Sequence, residues 1–176
     1  MVDIFALRSS GYSYDSTRMV TKDQLELMVK AAQEAPSSYN EQPWNFIIAD
    51  RVASPDAFNK VLNTLVAQNQ EWAQHASALI VVVASLNSRK GEPNKWALYD
   101  TGAAALSMAL QATLLGLSTH QMGGFRAAQL REEFAIFDDY MPISVMAVGY
   151  AAPSQEPRPK NRKALDTNFF WGTWNK

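Results

Sequence analysis

Glu34-Ala-Pro-Ser-Ser-Tyr-Asn-Glu-Gln-Pro-Trp-Asn-Phe-Ile-Ile48 joins a helix to a buried strand through a loop of small hydrogen-bonding side chains. Pro36 has no backbone N–H and disfavours the helical conformation at Ala35, so the preceding helix ends there. Ser37, Ser38, Asn40 and Gln42 then present donors and acceptors in succession, and Pro43-Trp44 leads into a strand expected over residues 45–49. Ordinary turn chemistry accounts for Ser and Asn after Pro; a loop built to hold a polar ligand accounts for them equally well.

Upstream, Thr21 and Gln24 have capping-box spacing, and Leu25, Met28, Val29 and Ala32 recur at helical intervals, which predicts a helix over 21–35. Downstream, Ser54 as N-cap and Pro55 at the first helical position precede Phe58, Val61, Leu62, Leu65 and Val66 on one apolar stripe. Residues 78–85 form a continuous β-branched run, expected as a strand buried on both faces. Residues 93–115 read as a long helix, apolar nearly all round and closed by Gly116 where a C-cap needs a left-handed residue; a subunit interface would bury it. A further helix is expected over 127–134 and a last strand over 143–150, with Phe169, Phe170, Trp171 and Trp174 crowding the tail. No internal repeat and no linker divides the chain, so one domain over 1–176 is expected, with a C-terminal arm from about 153. Strand order does not follow from the pattern.

Lys plus Arg number 16 and Asp plus Glu 17, a balance that disfavours nucleic acid and anionic membrane as partners. The one basic concentration is Arg158, Lys160, Arg162 and Lys163. Cysteine is absent, which excludes disulfides, thiolate metal sites and a Cys nucleophile; His75 and His120 are not spaced as metal ligands. Met-Val-Asp-Ile-Phe-Ala-Leu-Arg8 lacks the basic start and long apolar run of a signal peptide, so a cytoplasmic protein is expected.

Four segments, Arg8-Ser-Ser10, Ala35-Pro-Ser-Ser-Tyr-Asn-Glu-Gln-Pro-Trp44, Leu115-Gly-Leu-Ser-Thr-His-Gln-Met-Gly-Gly-Phe125 and Lys160-Asn-Arg162, together resemble the FMN-dependent nitroreductase family. Ala35-Pro-Ser-Ser-Tyr-Asn-Glu-Gln-Pro-Trp44 is similar to its A-P-S-S-x-N-x-Q-P-W signature, and Arg8-Ser-Ser10 to its R-x-S flavin-phosphate motif. Leu115-Gly-Leu-Ser-Thr-His-Gln-Met-Gly-Gly-Phe125 resembles its G-L-x-x-x-x-M-x-G-F segment and Lys160-Asn-Arg162 its K-x-R, all in the family's order. The resemblance implies an α+β fold, a three-layer α/β/α sandwich with a mostly antiparallel central sheet. It also implies a homodimer with a long interface helix and a C-terminal arm crossing to the partner.

It implies FMN as cofactor, with NAD(P)H delivering hydride to flavin N5 and a nitro compound, quinone or similar small molecule accepting the electrons. On that resemblance Arg8, Ser10, Lys160 and Arg162 hold the phosphate, while Pro36, Ser37, Ser38 and Asn40 pack along the flavin from the other subunit; Ser9 and Gln42 are counted with the cofactor-binding residues. Asn69 meets the pyrimidine edge of the ring, and Met122, Gly123 and Gly124 form the turn that aims a backbone N–H at N5, so no side chain is expected as acid or base. Glycine suits that turn because backbone must approach a ligand closely and can take positive φ; a helix C-terminal Asn is the alternative for Asn69.

The chain departs from the family at Ser9 and at Tyr12, where a cation near flavin N1 is common; loss of that cation lowers the potential, and Arg18 is a candidate replacement. No G-x-G-x-x-G, G-x-S-x-G or phosphate-loop motif occurs, so donor and acceptor are expected to share one pocket in ping-pong turnover. Two other readings stay open: a same-fold FMN enzyme with a different reaction, and a protein that stores or senses FMN without turnover.

Overall fold

The computed structural model describes residues 4–153 and 160–174; Arg158 of the basic cluster lies outside them. Four strands form one antiparallel sheet, β1 (Trp44–Asp50), β2 (Ala78–Ser85), β3 (Ser118–Met122) and β4 (Tyr140–Gly149), in the order β1-β2-β4-β3. Helices α1 (Ile4–Leu7), α2 (Lys22–Gln33), α3 (Pro55–Thr64), α4 (Ala67–Ala73), α5 (Ala97–Leu114) and α6 (Ala127–Phe134) flank it.

Period-two alternation along β2 divides the core. Ile80 and Val82, with Met146 and Val148 of β4, face Leu25, Met28 and Ala32 of α2 and Ala104, Ala105, Met108 and Ala109 of α5. Leu79, Val81 and Val83 face the other way, onto Phe58 and Val61 of α3, Ala73 of α4 and Leu130 of α6. Two helical layers therefore enclose the sheet, and β2 is buried on both faces as its unbroken apolar run requires. Met28 is fully buried between α2 and the sheet; truncating it to Ala would cost ~2–5 kcal/mol.

The caps of α2 and α5 form as expected. Thr21 and Gln24 make a reciprocal capping box, and Gly116 takes φ 72 beyond the end of α5. Ser54 precedes α3 but bonds backward, accepting from Asp50 N and donating to Asp50 O, so it makes no side-chain cap.

Three boundaries differ from expectation. The apolar stripe of the second helix does not run on to Val66: the backbone turns extended at Leu65 and Val66, Leu65 bridges to Phe125, and α4 starts afresh at Ala67. The long helix begins at Ala97 rather than at residue 93, because Pro93 pairs with Asn87 across a tight turn. The last strand begins at Tyr140 and passes through Pro142, where the register shifts: Val83 pairs with Pro142 and Val82 with Ser144, leaving Ile143 of β4 as the extra residue of a bulge. Among the described residues no helix is long and apolar enough to cross a membrane.

Candidate functional site

The Arg8-Ser-Ser10 segment follows α1 and is tied to the far edge of the sheet. Ser10 bridges Thr119 of β3, and Tyr14 bridges Ala151. The Tyr14 hydroxyl donates to Ala147 O at 3.3 Å, and its ring lies where a Cβ on Gly149 would come within 2.8 Å. Burial of that ring pushes the Tyr14 phenol well above the usual range, so it stays a neutral donor. Lys160 comes to the same place: its ammonium donates to the carbonyls of Phe5 and Ala6, shortly before Arg8. The Arg162 guanidinium donates to Asn161 O at 3.0 Å.

β3 runs from Ser118 to Met122 and delivers Gly123 and Gly124 to the break between α3 and α4. Val66 N–H donates to Gly124 O at 3.0 Å, and Asn69 Nδ2 reaches the same carbonyl at 3.3 Å. Asn69 thus sits in the first turn of α4 rather than at a helix C-terminus. Neither Gly123 nor Gly124 has positive φ. The requirement at Gly124 is close approach, since a Cβ there would stand 3.0 Å from Val66 and 3.1 Å from Asn69.

Tyr12 lies edge-on to His120 at 4.4 Å and to Trp72 at 5.3 Å, with Trp72 one turn beyond Asn69 on α4. His120 Nδ1 is 3.0 Å from Gly11 O. Arg18 does not join this cluster: its guanidinium packs over the Tyr150 ring at 3.8 Å.

The Ser-Asn loop lies elsewhere, at the β1 edge. Ser38 N–H donates to Asp100, a buried carboxylate in the first turn of α5, and Gln42 N–H donates to Ser37 Oγ. Tyr39, Asn40 and Gln42 all hold positive φ. A cavity of about 440 Å³ opens beside the loop, lined among others by Ser38, Tyr39, Arg89, Lys95 and Trp96.

Leu7, just before Arg8, lines a separate cavity with Thr113 near the other end of α5. Asp100 and Thr113 are roughly 20 Å apart along that helix. The structure therefore joins Ser10, Gly124 and Asn69 around β3, brings Lys160 to α1, and leaves Pro36, Ser37, Ser38, Asn40 and Gln42 at the opposite edge.

Sequence reasoning passed over Asp100, Arg89, Trp72 and His120. Asp100 carried a legible signal as the one charged residue in the 18-residue apolar α5. The others are recognisable only from tertiary contacts.

The Nitroreductase family model matches residues 6–150. A Bacillus subtilis protein provisionally named an NAD(P)H nitroreductase is 25% identical, over 97% of this chain and 96% of its own length. An Archaeoglobus fulgidus protein, provisionally named an NADH dehydrogenase/NAD(P)H nitroreductase, is 32% identical over 77% and 76%. A solved structure described as an oxidoreductase containing FMN superposes with a TM-score of 0.91 at 30% identity, covering 99% of this chain and 93% of that one. The four-stranded antiparallel sheet between helical layers and the family match over most of the chain lead to one conclusion: this chain belongs to the nitroreductase family of oxidoreductases.

Proposed function

We propose that the chain is one subunit of a homodimeric FMN oxidoreductase that takes electrons from NAD(P)H and passes them to a nitro compound, quinone or similar small acceptor. The observation that carries this reading is the convergence on β3: Ser10 against Thr119 at one end, and Gly124 against Asn69 beyond the other. The similarity to an FMN-containing oxidoreductase and to proteins named for NAD(P)H supports the choice of cofactor and donor.

The residues fit the group. Arg8, Lys160 and Arg162 are cations suited to a phosphate dianion, and the Ser9 and Ser10 hydroxyls add donors. A Cβ on Gly123 would have nothing within 4 Å, leaving its backbone open to a close-lying ring. FMN, when bound, supplies the hydride chemistry at N5. The chain's part is to hold the phosphate, to set the ring edge with Asn69, and to aim the Gly123 backbone.

The loop of Pro36, Ser37, Ser38, Asn40 and Gln42 serves the site of the second subunit. Its separation from the β3 cluster supports a composite site, because one chain's loop sits some 20 Å along α5 from that chain's own Leu7 end. Two apolar surfaces support pairing. Leu98, Leu106 and Leu114 stand exposed along one row of α5, with Gly102 and Leu110 between them. In the arm, Phe169 and Phe170 pack against Trp171 and Trp174, yet Trp171 remains 87% exposed.

Anaerobic addition of NADH or NADPH to the purified protein, followed by reoxidation with a panel of acceptors, tests the reading. The expected result is a yellow protein, bleached by a nicotinamide and recoloured by nitro compounds or quinones. A colourless protein that takes up no FMN overturns it, and a yellow protein that neither nicotinamide reduces overturns the enzymatic part.

A further inference from the structure

Tyr39, Asn40 and Gln42 hold φ of 52, 54 and 50, in the left-handed region that penalises a side chain with a Cβ. None is glycine, and Tyr39 is 90% exposed in the single chain, so packing within the chain does not explain its conformation. Strain of this kind persists only where surrounding contacts over-determine it.

Four of the loop's amides have partners. Ser38 N–H goes to Asp100, Asn40 N–H to Ser37 O, Glu41 N–H to Ser38 O and Gln42 N–H to Ser37 Oγ. The carbonyls of Tyr39 and Asn40 are met from outside by Arg89, whose Nη2 lies 3.1 and 3.3 Å from them. Arg89 Nε is 3.4 Å from Glu41 Oε2, and its backbone N–H donates to the same oxygen at 2.9 Å. Arg89 is itself presented by a tight turn in which Ser88 N–H donates to Glu92 O at 2.7 Å and Gly91 takes φ 80.

An exposed ion pair alone contributes little. A planar guanidinium differs, because its fork reaches two carbonyls and a carboxylate at once, which a lysine ammonium on a flexible stem does not reproduce. We propose that Arg89 is a positioning residue that holds the 37–42 loop in its flavin-binding shape before the cofactor arrives. The 88–92 turn is thus a brace for the loop, and FMN meets a surface whose ordering is already complete. The inference rests on the FMN reading above.

The test compares wild type with Arg89→Ala, Arg89→Lys and the double variant Arg89→Ala/Tyr39→Gly in two measurements: amide exchange of the apo-protein and FMN titration. In Arg89→Ala the amides of Asn40, Glu41 and Gln42 should exchange about tenfold faster while those of Ile80 and Val82 do not change, and the FMN dissociation constant should rise about tenfold. Arg89→Lys should behave like Arg89→Ala. Adding Tyr39→Gly should recover part of the affinity, because glycine adopts positive φ without the Cβ penalty, and recovery is not expected from a generally damaged fold.

Wild-type exchange and affinity in Arg89→Ala, or full function in Arg89→Lys, would overturn the proposal. A wild-type protein that binds no FMN overturns the flavin reading instead, and exchange of the loop amides then decides the brace alone.

Discussion

Asn69 and Gly124 are fitted to one another: the Asn69 amide donates to the Gly124 carbonyl across 3.3 Å, and a Cβ on Gly124 would stand 3.1 Å from that same nitrogen. Val66 closes the other side at 3.0 Å. Gly124→Ala must therefore push Asn69 or Val66 aside, at ~1–3 kcal/mol of stability. A lower melting temperature and weaker FMN binding are expected. If thermal unfolding and flavin titration of the variant both match wild type, the contact does not constrain the turn.

Arg8→Ala and Arg162→Ala each remove a guanidinium assigned to the phosphate. Each should weaken FMN retention by ~1.5–3 kcal/mol, roughly ten- to hundredfold in dissociation constant. Because these are charged contacts, rising salt should narrow the gap between wild type and variant. Unchanged affinity in both variants would remove the phosphate assignment.

Mixed dimers test the proposal of a site shared between subunits. A subunit with Arg8→Ala and Arg162→Ala paired with one carrying Ser38→Ala and Asn40→Ala would place every lesion in one pocket and leave the other intact. About half of the wild-type flavin should then stay tightly bound, far more than in either parent. Heterodimer pockets that each resemble one parent would mean that a single chain builds the site. Leu106→Glu, on the exposed row of α5, should shift the protein toward monomer in sedimentation and release flavin with it.

Tyr12, His120 and Trp72 stand together on the β3 side of the molecule, beside the proposed flavin site. Reduced FMN is anionic at N1, so a neutral aromatic neighbour stabilises it less than an ammonium would. Tyr12→Lys should raise the two-electron potential by about 30 mV or more, equivalent to ~1.4 kcal/mol. Spectroelectrochemical titration measures the shift, and a fall in potential would place Tyr12 away from the N1 edge.

Elements whose signal is local were legible in the sequence. Thr21 and Gln24 sit three residues apart, Gly116 immediately follows its helix, and the β2 run shows burial on both faces; each matches the structure. The α6 boundaries match as well. What escaped depends on distant partners. β3 is a polar Ser-Thr-His-Gln edge strand whose pairing with β4 overrides its composition. The helix break at Leu65 is invisible to periodicity, because the apolar stripe continues through it while the backbone turns away to meet Phe125. In the candidate site the motifs nominated residues, but their division between two sheet edges and the Asp100 contact to Ser38 came from topology and from one buried carboxylate.

That break also bears on the order in which the chain assembles. Thr64 O, at the end of α3, is taken by the Arg126 backbone N–H at 2.8 Å; the Arg126 side chain donates to Asn63 O, and Val66 N–H waits for Gly124 O. The last turn of α3 and the start of α4 are thus completed by residues some sixty positions later. Closing so long a loop defers its reward until the intervening strands have paired. A chain emerging from the ribosome could form α2 and the antiparallel β1-β2 pair before Arg126 exists, but not this junction. The turn beside Asn69 therefore belongs to the late stages of folding, and a kinetic trap at that stage would yield a protein with paired strands and an unfinished α3-α4 junction.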